Sequence, residues 1–183
     1  MIGRFVGTVR RVMIRPTAFF AQTPRRGGFL EPLLFALVCL EVSVVLGWLL
    51  RLVLLGLGVG IDQWPIRLIF FGTTVERSQD LAQALGLLLG GSELSRFVVD
   101  LVISPILGGI GLFVGAGILH LVVRLVVGAE NLGFEAGFRV LSYSNAVALA
   151  HWIPIVALWF SLYGIYLQVV GIRRCTRRRR VEP

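Results

Sequence analysis

The sequence has no lysine, two cysteines, two histidines and ten acidic residues, and each scarcity removes a class of protein. Cys39 lies in an apolar run and Cys175 among arginines, without the spacing of a disulfide framework or a zinc site. His151 has no second histidine, cysteine or carboxylate near it in sequence, so no metal ligand is expected. The patterns of zinc proteases (HExxH), serine hydrolases (GxSxG) and phosphate-binding loops (GxxxxGKS) are missing. No catalytic residue and no cofactor is therefore expected, and the predicted class is not an enzyme. With lysine absent, all 18 basic residues are arginine, and the net charge is +8. A sequence pI of about 11.1 would suit nucleic acid. The arginines, however, crowd the two termini beside apolar segments instead of marking a basic domain, so nucleic acid is not an expected partner.

What is abundant is apolar. At 56% hydrophobic residues and a mean hydropathy of +0.85, the 183-residue chain exceeds the roughly 45 to 50% of soluble proteins. A water-soluble fold of one domain would have no polar skin left. The predicted fold class is all-α, a polytopic membrane helical bundle of about four transmembrane helices with an N-terminal interfacial amphipathic helix.

Residues 1–28 read as a cytoplasmic amphipathic helix and a basic linker. Ile2, Phe5, Val6, Val9, Val12 and Met13 recur at helical spacing, with Arg4, Arg11 and Arg15 on the opposite face. Such a helix lies in the headgroup plane with its arginines toward anionic phosphates. A mitochondrial-type presequence, also rich in arginine and free of acids, is the alternative. Pro16 is expected to end this helix, and Phe19, Phe20, Pro24, Arg25, Arg26, Gly27 and Gly28 to form an aromatic and basic linker.

Residues 29–171 read as the transmembrane domain, with spans at about 33–58, 97–127, 138–151 and 153–171. The first covers the roughly 30 Å hydrocarbon core with some tilt. A loop follows as far as about Arg96, within which the apolar stretch Leu81 to Leu89 has half the needed length and reads as a short interfacial or re-entrant piece. The second span exceeds a straight crossing and should tilt or bend near Pro105. Ser104, Gly108, Gly111 and Gly115 recur every three or four residues along it, a small-residue face suited to close helix packing. A turn with Glu130, Asn131 and Glu135 comes next. If 138–170 were one helix, the six arginines near each terminus would lie on opposite sides, against the positive-inside rule. A break at His151, Trp152, Ile153 and Pro154 makes it a hairpin of two short helices and places both ends, including the arginine-rich tail 172–183, in the cytoplasm.

The order of these features resembles the Yip-domain family, membrane proteins named for interaction with Ypt/Rab GTPases, and especially its bacterial members. The likeness is carried by Phe19, Phe20, Pro24, His120, Arg124, Gly128, Phe138, Arg139, Tyr143, Ile153, Pro154, Trp159, Gly164 and Gly171. The resemblance implies a multi-pass fold more firmly than it implies an activity. Members usually have a fifth hydrophobic helix where this chain ends in arginines, and the Tyr-Gly-Pro type motif of eukaryotic members is not found. A bacterial inner membrane is the expected location.

Ionisable residues inside the spans are the functional candidates, since a charge at bilayer depth needs a partner or water. Glu41 and His120 lie at similar depths, about 12 and about 10 Å from the cytoplasmic side, and form a candidate intramembrane pair. Proton-coupled movement and a structural inter-helix hydrogen bond are the two readings. Arg51 and Asp100 form a possible outer pair. Arg124 is expected to snorkel to phosphate, and Arg177, Arg178, Arg179 and Arg180 to meet lipid headgroups beside Arg4, Arg11 and Arg15. The leading expectation is a non-enzymatic membrane-organising or partner-binding protein. Its partners would be the bilayer, anionic headgroups, and other membrane proteins or further copies of itself. The alternative is a small transporter or channel component using Glu41 and His120.

Overall fold

The structure is a computed structural model and describes residues 2–24, 27–58, 92–127 and 133–179. The expected loop helix at Leu81 to Leu89 and the turn at Glu130 and Asn131 lie outside the described residues. Six α-helices are described: α1 (Ile2–Ile14), α2 (Pro16–Gln22), α3 (Leu30–Gly56), α4 (Glu93–Val127), α5 (Phe134–Ser144) and α6 (Pro154–Arg179). A 3-10 helix, Asn145–Ala150, continues α5. The chain is an all-α membrane protein, with no strand among the described residues.

Among the described residues three helical stretches are long and apolar enough to cross a bilayer: Leu30–Gly56, Leu94–Leu125 and Val156–Cys175. Their side chains are not gathered into a core. Of the most apolar window of α4, only 11% is buried, and Leu94, Val98, Val102, Ile106, Ile110, Val114, Ile118 and Val122 form an exposed stripe at spacing four. In water that stripe would be an aggregation surface; in lipid it is a solvated one. Pro105 sits inside α4 without interrupting it.

Pro16 both stops α1 and starts α2. Its fixed φ and missing N–H suit the first position of a helix, so the Phe19 and Phe20 stretch, expected as linker, is helical. At the other end of the chain, the Asn145 N–H is shared among the carbonyls of Leu141, Ser142 and Tyr143 as α5 tightens into the 3-10 helix. The i to i−3 bonds His151 N to Ala148 O and Ile153 N to Ala150 O carry the chain through a turn, and Pro154 opens α6.

The chain forms two compact units. One comprises Met1–Ala36, Leu112–Val147 and Ser161–Pro183; the other Leu37–Gly111 and Ala148–Phe160. The first is cored by aromatic rings. Phe29 meets Phe113, Phe134 and Phe138 at centroid distances of 6.1, 5.9 and 5.3 Å. Tyr143 takes Phe19 at 5.1 Å and Phe35 at 5.2 Å, and Phe5 lies 5.3 Å from Phe35. In the same unit α5 and its 3-10 extension run antiparallel to α6. A Cβ on Gly171 would lie 2.5 Å from a methyl of Val140, and one on Gly164 would lie 3.2 Å from a methyl of Val147. Seven residues forward on one helix match seven backward on the other, so two glycines receive two valines in one register. This is packing by close backbone approach, the means by which apolar helices associate in lipid.

Candidate functional site

Within the second unit, a short ladder of polar side chains joins α3 to α4. Glu41, Trp48 and Arg51 share one side of α3 because their spacings, seven and three, are near whole turns. Asp100 and Ser104 are one turn apart on α4. The Ser104 hydroxyl, 7% exposed, donates to the Glu41 carboxyl. One step along, the Trp48 indole N–H donates to Asp100 Oδ2 at 3.0 Å, and the Arg51 guanidinium lies over the same indole, 5.0 Å from the ring centroid. Phe97 packs edge-on against Trp48 at 5.6 Å. Arg51 and Asp100 thus meet on opposite parts of one tryptophan, the cation over its face and the carboxylate at its N–H. Gly108 makes room for the Leu40 side chain of α3, since a Cβ there would collide with its methyl.

The first unit holds a second polar node around Arg139, which is only 2% exposed. Its Nη2 donates to the Gly28 carbonyl at 2.9 Å, and its Nε lies 3.6 Å from Glu135 Oε1. That carboxylate oxygen also accepts the Gly27 and Gly28 N–H groups at 2.6 and 2.8 Å. Glu135 stands in the first turn of α5, where a negative charge is favoured by the helix dipole. One ion pair therefore clamps the segment leading into α3 onto the start of α5. Gly27 and Gly28 have φ of +150° and +85°, and a Cβ on Gly27 would sit 2.7 Å from the Arg139 guanidinium. This pair of glycines is where left-handed backbone and close approach are both required.

The remaining candidates are distributed as follows. Glu41 belongs to the second unit, with Ser104 as its hydrogen-bond partner. His120 belongs to the first, edge-on to Phe134 at 6.2 Å, with its buried Nδ1 lacking a hydrogen-bond partner among the described residues. Gly115 packs against Leu141, 3.1 Å from where its Cβ would be, while Gly111 is half-buried at the end of the second unit's share of α4. Arg4, Arg11, Arg15 and Arg124 are exposed. Arg177, Arg178 and Arg179 lie on the last turn of α6, and Arg180 is outside the described residues. Cys39 and Cys175 are buried and outside any disulfide. Among the described residues no group of three His, Cys, Asp or Glu could hold a metal.

Trp48 and the Glu135–Arg139 node were not singled out as site residues from the sequence. Both left a signal: a tryptophan on the same helical side as Glu41 and Arg51, and a carboxylate four residues before an arginine.

Six of the residues that carry the family likeness are buried in the first unit. Phe20, Phe138, Arg139 and Tyr143 are 2%, 0%, 2% and 7% exposed, and Gly164 and Gly171 are the close-approach glycines. A model of the Yip1 domain matches residues 10–181. The chain belongs to the Yip1-domain family. The comparison with curated proteins finds no match, and neither does that with solved structures. The Yip1 match takes in every helix described, α1 in part. In this Yip1 domain the likeness rests in part on core and clamp residues, while Pro24, Arg124 and Trp159, the last 70% exposed on an apolar face of α6, are exposed.

Proposed function

We propose that this Yip1-domain protein is a non-enzymatic organiser of a bacterial inner membrane. It presents basic cytoplasmic ends to lipid and apolar helix faces to other membrane proteins or a second copy. The observation that carries this reading is that polar side chains inside the apolar helices engage one another, Ser104 with Glu41 and Trp48 with Asp100. Inter-helix hydrogen bonds of this kind hold a fold together and spend the polarity that a conduction path would need exposed. The orientation has its own support. The first unit contains both terminal segments together with the exposed arginines Arg4, Arg10, Arg11, Arg15, Arg124, Arg173 and Arg174. The third crossing is helped by the 3-10 helix: 11 residues of α5 and 6 of the extension span about 28 Å, because a 3-10 turn rises about 2.0 Å per residue, against a hydrocarbon core of about 30 Å.

The second reading is a small carrier using Glu41 with His120, and the unpartnered Nδ1 of His120 favours it. A substitution cycle joined to a flux assay separates the two. Ser104→Ala leaves the Glu41 carboxyl without its donor and is expected to cost about 1 kcal/mol in thermal unfolding. Glu41→Leu with Ser104→Ala removes both partners and is expected to restore wild-type stability or better. Liposomes containing the wild-type protein should show no pH-driven proton flux. A flux that is lost in Glu41→Leu or His120→Leu would establish the carrier instead.

A further inference from the structure

α1 is held in the first unit at three points. The Phe5 ring lies on Phe35, Val12 is wholly buried, and the Met13 carbonyl accepts the Tyr163 hydroxyl at 2.6 Å. These contacts determine how the helix is rolled. Left outward are Arg4, Arg10, Arg11 and Arg15, with Ile14 65% exposed beside them. Gly7, Arg10, Arg11, Ile14 and Arg15 line an open groove, since steps of three, four and seven residues return to one side of a helix and Arg15 follows directly on the last turn of α1. Gly7 is its floor: nothing lies within 4 Å of where a Cβ would stand. Arg11 Nε donates to the Gly7 carbonyl at 3.2 Å, which holds that guanidinium beside the groove.

No carboxylate stands on α1 or α2, because Glu31 is the first acid in the chain. The contrast with Arg139 and its own Glu135 is direct. Arg10, Arg11 and Arg15 gather like charge at the end of α1, and their mutual repulsion is relieved when an anion joins them. We infer that the groove binds the headgroup phosphate of an anionic glycerophospholipid. Arg10, Arg11 and Arg15 take the phosphate oxygens through their planar forks, and Ile14 covers the glycerol and the first methylenes. The exposed isoleucine selects a lipid over a free phosphate, which has no apolar part to cover. This rests on the proposed membrane-organising role and names the lipid class that role would use.

The test uses the full-length protein in phosphatidylcholine mixed micelles, titrated with fluorescent phosphatidylglycerol. Each arginine near a membrane surface contributes about fivefold to binding. Arg10→Ala with Arg11→Ala is therefore expected to weaken phosphatidylglycerol binding about 25-fold. Raising salt from about 0.05 to about 0.5 M should reproduce much of the loss in the unaltered protein, which keeps the test valid if the double variant folds poorly. Wild-type affinity in the Arg10 and Arg11 variant would overturn the site. Displacement of the lipid by inorganic phosphate as readily as by unlabelled phosphatidylglycerol would overturn the lipid assignment. If either occurs while the liposomes stay proton-tight, the lipid site as inferred falls and the organising role stands.

Discussion

Gly171→Ala is expected to destabilise the protein by about 2 kcal/mol, although the same change at an unhindered helical glycine is favourable by roughly 0.5 to 1 kcal/mol. The new methyl would lie 2.5, 3.0 and 3.3 Å from three carbons of Val140, which is 1% exposed. A β-branched side chain in a helix has one strongly preferred rotamer, so Val140 cannot swing aside, and overpacking of this kind costs about 1 to 3 kcal/mol. Gly109→Ala is the control, because nothing lies within 4 Å of a Cβ there; it should be neutral or stabilising. Combining Gly171→Ala with Val140→Ala should give a loss at least about 1 kcal/mol smaller than the sum of the single losses. Thermal unfolding in detergent measures all four variants. Equal tolerance of alanine at positions 109 and 171 would remove the α5 to α6 register.

Arg139→Met is expected to cost about 3 kcal/mol. Breaking a buried ion pair from one side costs about 3 to 5 kcal/mol, and the lower end applies because the Glu135 side chain is 25% exposed. The guanidinium serves two acceptors at once, the Gly28 carbonyl and the Glu135 carboxylate. A lysine ammonium is a point charge without that fork, so Arg139→Lys should lose nearly as much as Arg139→Met. Adding Glu135→Gln to Arg139→Met should recover part of the loss, since a neutral amide oxygen can still accept the two glycine N–H groups without a stranded charge. An Arg139→Lys protein as stable as wild type would mean that net charge, not the clamp, is what Arg139 supplies.

These contacts also mark where the sequence becomes hard to read. Long apolar runs announce α3, α4 and α6 because lipid demands continuous helices with satisfied backbone groups. The amphipathic α1 announces itself by period. Depth along a helix can be counted, which is how Glu41 and His120 came to be paired, but the direction a side chain points around the helix depends on packing. Ser104 was noted for its size and Glu41 for its charge, and only the roll of α3 against α4 in the second unit joins them. Arg139 gave a spacing signal, yet its acceptor at Gly28 is 111 positions away in the chain. The helical state of Pro16–Gln22 was hidden because seven residues are too few for a periodic pattern, and a proline reads equally as a stop and a start.

That the chain crosses the bilayer four times and returns both ends to the cytoplasmic face is tested most directly by reporter fusions. Placed at residue 1, near Gln79, near Asn131 and at the C-terminus, they should report inside, outside, inside and inside. A C-terminus on the outside would mean a single kinked third crossing from residue 138 onward, and would contradict the four-crossing arrangement and the shared basic face together.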